Sequence, residues 1–346
     1  MGEHAVVYRR PALAAAAGLH ARVRIAPSAA PGVTLDLPGV GVHARIPWDD
    51  VLGYARRARA AWSAFAAHPD PSSFDRLRGT EPDHVVRVAL GEAAEICGEP
   101  FTPVAVAIDS TIPVGAGFGS SAALAVAVVA AYLEARGRRA DPDSIAGPAL
   151  EVERRQHGLP SGLDHATVLR GGVVWAAPGP DDALAIEPID VGSRLLGRFR
   201  VFHTGQPREA TGAVVAAVRA ARDADPDTFD TRLDRMEAFT LALRECLDRD
   251  DPEDPGVADA VRGYERCLEE IGVVPRPVAE TIRRVEREGG AAKISGAGSL
   301  AGPGAGCLLV FHPDPRAIDS WPFLSALPPL RFALGVEGLR RDPAES

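Results

Sequence analysis

Apolar and polar positions alternate with two periods along this chain, and the switches between them mark out its elements. Ala12–Ile25 and Val33–Ile46 run near period two and predict two strands, joined by the Pro-Ser-Ala-Ala-Pro-Gly turn at 27–32 and expected to pair with each other. Trp48–Ala67 has helical spacing, with Asp49 and Asp50 in its first turn, and Asp83–Cys97 predicts a second helix. The β-rich run Phe101–Ile108 then leads, through a glycine loop, to a helix of small residues from Ala122 to Arg136. Further helices are predicted at Asp143–Gln156 and Ser161–Leu169, and strands at Val173–Ala176 and Ala183–Ile189. The loop Pro178–Asp182 suggests a domain boundary near residue 190, giving domains 1–190 and 191–346. Beyond it come a strand at Phe199–His203, three or four helices between Glu209 and Glu288, and strands at Ala291–Ser295 and Cys307–Phe311. Asp248–Pro255 reads as a solvated loop between helices.

The glycine loop is the most informative stretch. Residues 113–123 read Pro-Val-Gly-Ala-Gly-Phe-Gly-Ser-Ser-Ala-Ala. A strand, a glycine loop and a helix start aim backbone N–H groups and the positive end of the helix dipole at the loop's contents. Gly115, Gly117 and Gly119 let an anion approach the backbone, and Ser120 and Ser121 add hydroxyls for a phosphate oxygen or Mg²⁺. A Walker loop would need a Gly-Lys-Ser/Thr ending, which is absent, and the G-x-G-x-G spacing is not the dinucleotide fingerprint. The plainer reading is a glycine-rich turn with a serine cap.

Composition narrows the class. At 346 residues, 46% apolar and 25% charged, the chain suits one large soluble domain or two ordinary ones. A net charge of −9 argues against nucleic acid or an anionic membrane as partner. Cys97, Cys246, Cys267 and Cys307 are scattered and suit reduced thiols in a cytoplasm. Arg9-Arg10 and the apolar Pro11–Leu19 imitate a short secretory signal, but polarity returns at His20 and Arg22. The Ala122–Tyr132 run is shorter than the ~20 residues that span a bilayer. Lys293 is the only lysine in the chain.

Three further stretches carry candidate chemistry. In Glu-Arg-Arg-Gln-His-Gly-Leu-Pro-Ser-Gly-Leu-Asp, Glu153 and Asp164 bracket a turn between two helices. Glu153 falls in a last helical turn, where the dipole disfavours negative charge and a nucleotide-bound Mg²⁺ would relieve it. Asp164 falls near a helix start, which favours its ionised form. For either carboxylate alone, a surface Glu or a helix-start Asp is the bland reading. A second glycine loop, from Lys293 through Ser295, Gly296, Ala297 and Gly298 to Gly306, lies between two strands and is either a phosphate or substrate contact or a flexible connection. Lys293 is open to a salt-bridge role or a phosphate contact. In Thr204–Gly212, Arg208 and Thr211 are candidate substrate contacts, with helix capping as the alternative.

Taken together, these stretches resemble the GHMP family of small-molecule kinases. Gly2–Tyr8 with Pro11–Ala14 is similar to the family's first motif, Pro113–Ala123 to its phosphate-binding second, and Lys293–Gly298 to the start of its third. The Glu153–Asp164 and Thr204–Thr211 segments are similar to the versions found in the mevalonate kinases of the family. The resemblance implies an α+β fold of two domains, the first ribosomal-S5-like and the second ferredoxin-like, with the active site between them. It implies ATP-dependent phosphorylation of the mevalonate 5-hydroxyl with ATP and Mg²⁺ as cofactors. Gly115, Ala116, Gly117, Phe118, Gly119, Ser120 and Ser121 would wrap the ATP phosphates, and Ser121 and Glu153 would hold Mg²⁺. Asp164 would serve as base or electrostatic partner for the substrate hydroxyl. Glu3, His4 and Thr211 would line the mevalonate pocket. The expected partners are that small molecule and a second copy of the chain, with no nucleic acid and no membrane. Phosphomevalonate or another small alcohol as acceptor, or a non-catalytic ligand sensor on the same fold, are the alternatives.

Two departures stand out. The family places a Pro-Gly-Lys strand before Gly-Glu-His, with a lysine that assists the aspartate, and here the pattern begins at Met1-Gly2. The expectation is a native start further upstream, with Met1 internal to that strand, which N-terminal sequencing of the natively produced protein would reveal. The third motif continues as Gly-Ser-Leu-Ala-Gly-Pro-Gly-Ala-Gly in place of a tighter glycine run.

Overall fold

The computed structural model describes residues 1–68, 74, 77, 79–113, 117–180 and 184–342. Gly115 and Ala116 of the phosphate-loop expectation lie outside the described residues. The fold is the mixed α and β fold expected from the sequence, in two compact units that are each discontinuous along the chain.

One unit comprises Leu19–Ile112, Gly119–Arg170 and the C-terminal residues from Gly338. Its sheet holds β2 (Ala21–Pro27), β3 (Val33–Leu37), β4 (Val42–Ile46) and β5 (Val104–Ser110) in the order β2-β5-β3-β4. The two long strands expected between residues 12 and 46 do not pair with each other. The second is itself a hairpin, β3 against β4, which turns near Gly41 at φ +69°. β2 instead pairs antiparallel with β5, Val23 opposite Ile108, and β3 runs parallel to β5. Period two puts Val33, Leu35, Leu37, Val104, Val106 and Ile108 on one face, where they join a single apolar core. Among the described residues the unit also holds α1 (Trp48–Ala67), α2 (His84–Cys97), α3 (Ser120–Ala135), α4 (Pro142–His157) and α5 (Leu163–Arg170). α3 is apolar nearly all round, burying Ala122, Ala125, Val126, Val128, Val129, Tyr132 and Leu133, and it packs against β2, α2, α4 and α5. α4 starts on a capping box in which Asp141 accepts from the Ser144 N–H and the Asp141 N–H is met by the Ser144 hydroxyl.

The other unit comprises Met1–Gly18, Pro113 with Gly117 and Phe118, and Gly171–Glu337. The expected single boundary near residue 190 therefore does not match the grouping of the chain. β1 (Ala12–Ala15) pairs with β6 (Val173–Pro178), which pairs with β7 (Leu184–Ile189), and this three-stranded sheet draws residues on both sides of 190 into one unit. A second, antiparallel sheet runs β11 (Pro329–Leu330), β8 (Phe199–His203), β10 (Cys307–Phe311), β9 (Ala291–Ser295). The helices expected between 209 and 288 are four: Thr211–Ala224, Pro226–Arg249, Pro255–Glu270 and Arg276–Arg287. Among the described residues no helix is long and apolar enough to cross a membrane, and all four cysteines are free thiols.

Candidate active site

In the first unit, three helix ends bring the expected catalytic groups together. Gly119, at φ +64°, is the residue before α3, and its conformation suits glycine. A Cβ built on Gly119 would lie 3.9 Å from the Asp164 Cβ and 4.0 Å from its Cγ, so the Asp164 carboxyl sits beside the start of α3. Asp164 is in the first turn of α5, whose preceding turn is held by Leu163 N–H donating to Ser161 Oγ at 3.2 Å. The backbone N–H groups of that first turn of α3 have no intrahelical acceptor by position, which makes this end suited to an anion.

Glu153 enters from α4, one turn before its C-terminal residue His157, and is almost wholly buried. Its Oε1 has no hydrogen-bond partner among the described residues. Burial, reinforced by the Asp164 charge and opposed by a hydrogen bond from Ser121, pushes the Glu153 carboxyl up to about 8. A buried carboxylate with an unpartnered oxygen and a second carboxylate nearby is costly without a cation. The donor set therefore fits a divalent ion: Glu153 and the Ser121 hydroxyl are hard oxygen ligands. Among the described residues no three His, Cys, Asp or Glu side chains form a cage, so a divalent ion placed here would need further ligands from outside the protein side chains, such as phosphate oxygens or water.

His157 completes this corner. Its Nε2 is 2.9 Å from Ser121 Oγ and 3.9 Å from Glu153 Oε2. Burial, helped by the nearby His84, brings its imidazole down to about 4, so the ring is neutral near pH 7. The backbone beyond it is fixed by Trp62, whose Nε1–H donates to the Gly158 carbonyl at 2.8 Å. Gly158 is at φ +79°, and a Cβ there would fall 2.5 Å from Phe65 Cε1. Arg155, fully buried, ties α4 to α2 through Glu92 at 3.4 Å and pairs with Glu151 at 2.9 Å.

In the second unit, the Gly-Glu-His segment clasps the third glycine loop. Lys293 Nζ donates to Glu3 Oε1 at 2.5 Å and to the Ile294 carbonyl at 2.6 Å, and Ser295 Oγ donates to the same Glu3 oxygen at 3.2 Å. His4, at the left-handed φ of 61°, bonds through Nε2 to the Ala297 carbonyl at 2.9 Å. Tyr264 OH donates to the Glu3 carbonyl at 2.9 Å, and Ile294 N–H donates to Glu265 Oε2 at 3.0 Å. Burial alone would push the Glu3 carboxyl up, but the Lys293 charge and hydrogen bond help bring it down to about 2. Glu265 has less compensation, and burial pushes it well above the usual carboxylate range. Gly117, at φ +81°, would place a Cβ 3.2 Å from the Ser295 carbonyl, so the second and third glycine motifs touch backbone to backbone here.

Residues 83–172 match the family described as GHMP kinases N terminal domain. The chain belongs to the GHMP kinase superfamily. Within that superfamily it is most like mevalonate kinases. The mevalonate kinase of Thermococcus sibiricus is 27% identical over 338 residues, covering 91% of this chain and 87% of the relative. That of Methanothermobacter thermautotrophicus is 28% identical over 299 residues, covering 86% and 83%. The solved structure of the Methanococcus jannaschii mevalonate kinase shares the fold, with a TM-score of 0.71 at 18% identity over 96% of this chain and 93% of that one.

Against the family's motif order, Gly119, Ser121, Glu153 and Asp164 meet in one unit, while Glu3, His4, Gly117, Ser295, Gly296 and Ala297 meet in the other. Phe118 stands edge-on to Phe332, ring centroids 5.7 Å apart. Gly298 is confined, since a Cβ would lie 2.2 Å from the Val273 carbonyl oxygen. Ser120 is the first residue of α3. Thr211 opens its helix and is exposed, and the N-cap is Ala210, with no side-chain cap bond. Lys293 proves to be a buried salt-bridge partner. Sequence reading overlooked Glu209, which accepts from Ser299 Oγ at 2.6 Å and Leu300 N–H at 3.1 Å and so anchors the third loop. It also passed over His157, although a spacing of four from Glu153 on a helix puts both on one face.

Proposed function

We propose that this GHMP kinase transfers the γ-phosphoryl group of ATP to the 5-hydroxyl of mevalonate, giving 5-phosphomevalonate and ADP. The observation that carries the proposal is the convergence of Glu153, Asp164 and Ser121 on the start of the helix that follows the glycine loop. Phosphoryl transfer is governed by positioning and by neutralising phosphate charge, so a site of this kind needs few groups. The loop glycines and the first-turn N–H groups of Ser120, Ser121 and Ala122 would cradle the phosphates. Ser121 and Glu153 would hold Mg²⁺, which when bound neutralises charge on the phosphates. Asp164, in the first turn of α5 beside Gly119, would orient the alcohol and take its proton. Glu3, His4 and Thr211 are assigned to mevalonate, with Glu3 and His4 held by the clasp on the third loop. A cytoplasmic homodimer belongs to the same reading.

The test is a coupled ADP-release assay with a panel of acceptors: mevalonate, phosphomevalonate and other small alcohols. Release that depends on mevalonate, on Mg²⁺ and on Asp164 supports the proposal. Binding of ATP and mevalonate in a calorimeter without turnover would replace it with a ligand sensor.

A further inference from the structure

We propose that His157 is a positioning residue for the cation: its Nε2 accepts the Ser121 hydroxyl proton and so turns the oxygen's lone pairs toward an ion held by Glu153. The inference rests on the kinase reading of this corner. A serine hydroxyl has one proton and two lone pairs, and an oxygen that ligates a cation must send its proton elsewhere. Two acceptors are near Ser121, the Glu153 carboxyl and His157 Nε2 at 2.9 Å. Once Glu153 commits its oxygens to the cation, the imidazole nitrogen is the remaining acceptor. Nε2 is also 3.9 Å from Glu153 Oε2, so a proton on that nitrogen would point into the space between two expected ligands. The Nδ1–H tautomer avoids this and presents a lone pair to the hydroxyl.

The surroundings suit a fixed acceptor. His157 is the last residue of α4, one turn after Glu153, and both side chains leave the same helix face. Its backbone cannot drift, because the Gly158 N–H donates to the Arg154 carbonyl at 2.8 Å and the Gly158 carbonyl is held by Trp62. A ligand-orienting partner of this kind ordinarily changes metal affinity about 10–100-fold when removed.

Calorimetric titration of Mg²⁺ and ADP, together and separately, tests the inference on His157→Phe and His157→Gln. Phe fills the space with no acceptor, and Gln offers an amide oxygen of similar reach. The expected result is a loss of Mg·ADP affinity of about tenfold or more in His157→Phe. Metal-free ADP should bind both variants as it binds the parent, and His157→Gln should stay within a few-fold of the parent for Mg·ADP. Unchanged Mg·ADP affinity in His157→Phe overturns the inference, as does an equal loss with and without Mg²⁺ in both variants, which would mark a structural role. Ser121→Ala and Glu153→Gln separate this failure from a failure of the kinase reading. If they too leave Mg·ADP binding unchanged, the cation site itself is wrong. Should His157→Phe not fold, the nitrogen resonances of His157 in the unmodified protein decide the matter. With Mg·ADP bound, an unprotonated Nε2 supports the inference and a protonated one overturns it.

Discussion

Replacing Lys293 with methionine should destabilise the protein by about 3–5 kcal/mol, because it breaks a buried ion pair from one side. The Lys293 side chain is 2% exposed and that of Glu3 12%, and their contact is 2.5 Å. Removing the ammonium leaves Glu3 with the weaker Ser295 bond and the Met1 ammonium at 3.9 Å, and burial acts against its charge. The pH dependence gives an independent magnitude. Glu3 titrates near 2 in the folded protein against an ordinary 4.5, so its stabilising contribution is complete above about pH 4.5 and is lost as pH falls toward 2. At 1.36 kcal/mol per pH unit, that shift corresponds to about 3 kcal/mol. In Lys293→Met this pH dependence should shrink, because burial is then opposed only by the Met1 ammonium, 3.9 Å from Glu3 Oε2, and by a backbone hydrogen bond. Urea denaturation followed by circular dichroism, near pH 7 and near pH 3, measures both effects. Glu3→Gln combined with Lys293→Met closes a double-mutant cycle, in which the pair should show a coupling above about 1 kcal/mol. A single-variant loss below about 1 kcal/mol, the range of an exposed pair, would refute the reasoning, as would additive single losses.

Asp164→Asn should lower turnover on mevalonate about 10²–10⁴-fold while Mg·ADP still binds, as measured by steady-state kinetics beside calorimetry. Glu153→Gln should weaken Mg·ADP binding by roughly tenfold or more, about 1.4 kcal/mol, with little effect on metal-free ADP. Gly158→Ala should cost about 1–3 kcal/mol in a thermal melt, because the new methyl meets the Phe65 ring at an unfavourable φ. An unchanged melt would mean that the turn after α4 has room that the structure does not show.

Much of the architecture is legible in the sequence where an apolar run ends on turn residues. Phe199–His203, Ala291–Ser295 and Cys307–Phe311 are strands at the bounds that the sequence suggests, each short and apolar. Trp48–Ala67 likewise keeps its bounds. Strand partners are not legible. Period two identifies a strand's buried face but is silent about its neighbour, so the pattern suggests that Ala12–Ile25 pairs with Val33–Ile46, whereas its parts enter two different sheets. The same limit explains the grouping of Met1–Gly18 with the C-terminal half, which follows from β1 pairing with β6.

The candidate site divides along the same line. Glu153, Asp164 and Ser121 announce themselves through helix ends and glycine spacing, which are local signals. The Glu3–Lys293 pair joins positions 290 residues apart, and no local pattern announces such a contact. Only the rarity of lysine marks that position as unusual. Glu265 is a further case: an acidic residue amid a charged helix reads as surface, yet it is fully buried and caps the Ile294 N–H. His157 was readable by its spacing from Glu153, but a histidine at a helix end also suits the dipole, and that ordinary role masks the hydroxyl it contacts.

Phosphorus NMR of the protein with ATP, Mg²⁺ and mevalonate tests the account most directly, because it follows the phosphoryl group itself. The account predicts that ADP and a phosphate monoester on the 5-oxygen of mevalonate grow together in equal amounts, and that Asp164→Asn nearly abolishes both. Intact ATP after prolonged incubation, or ADP accompanied only by inorganic phosphate, would contradict it.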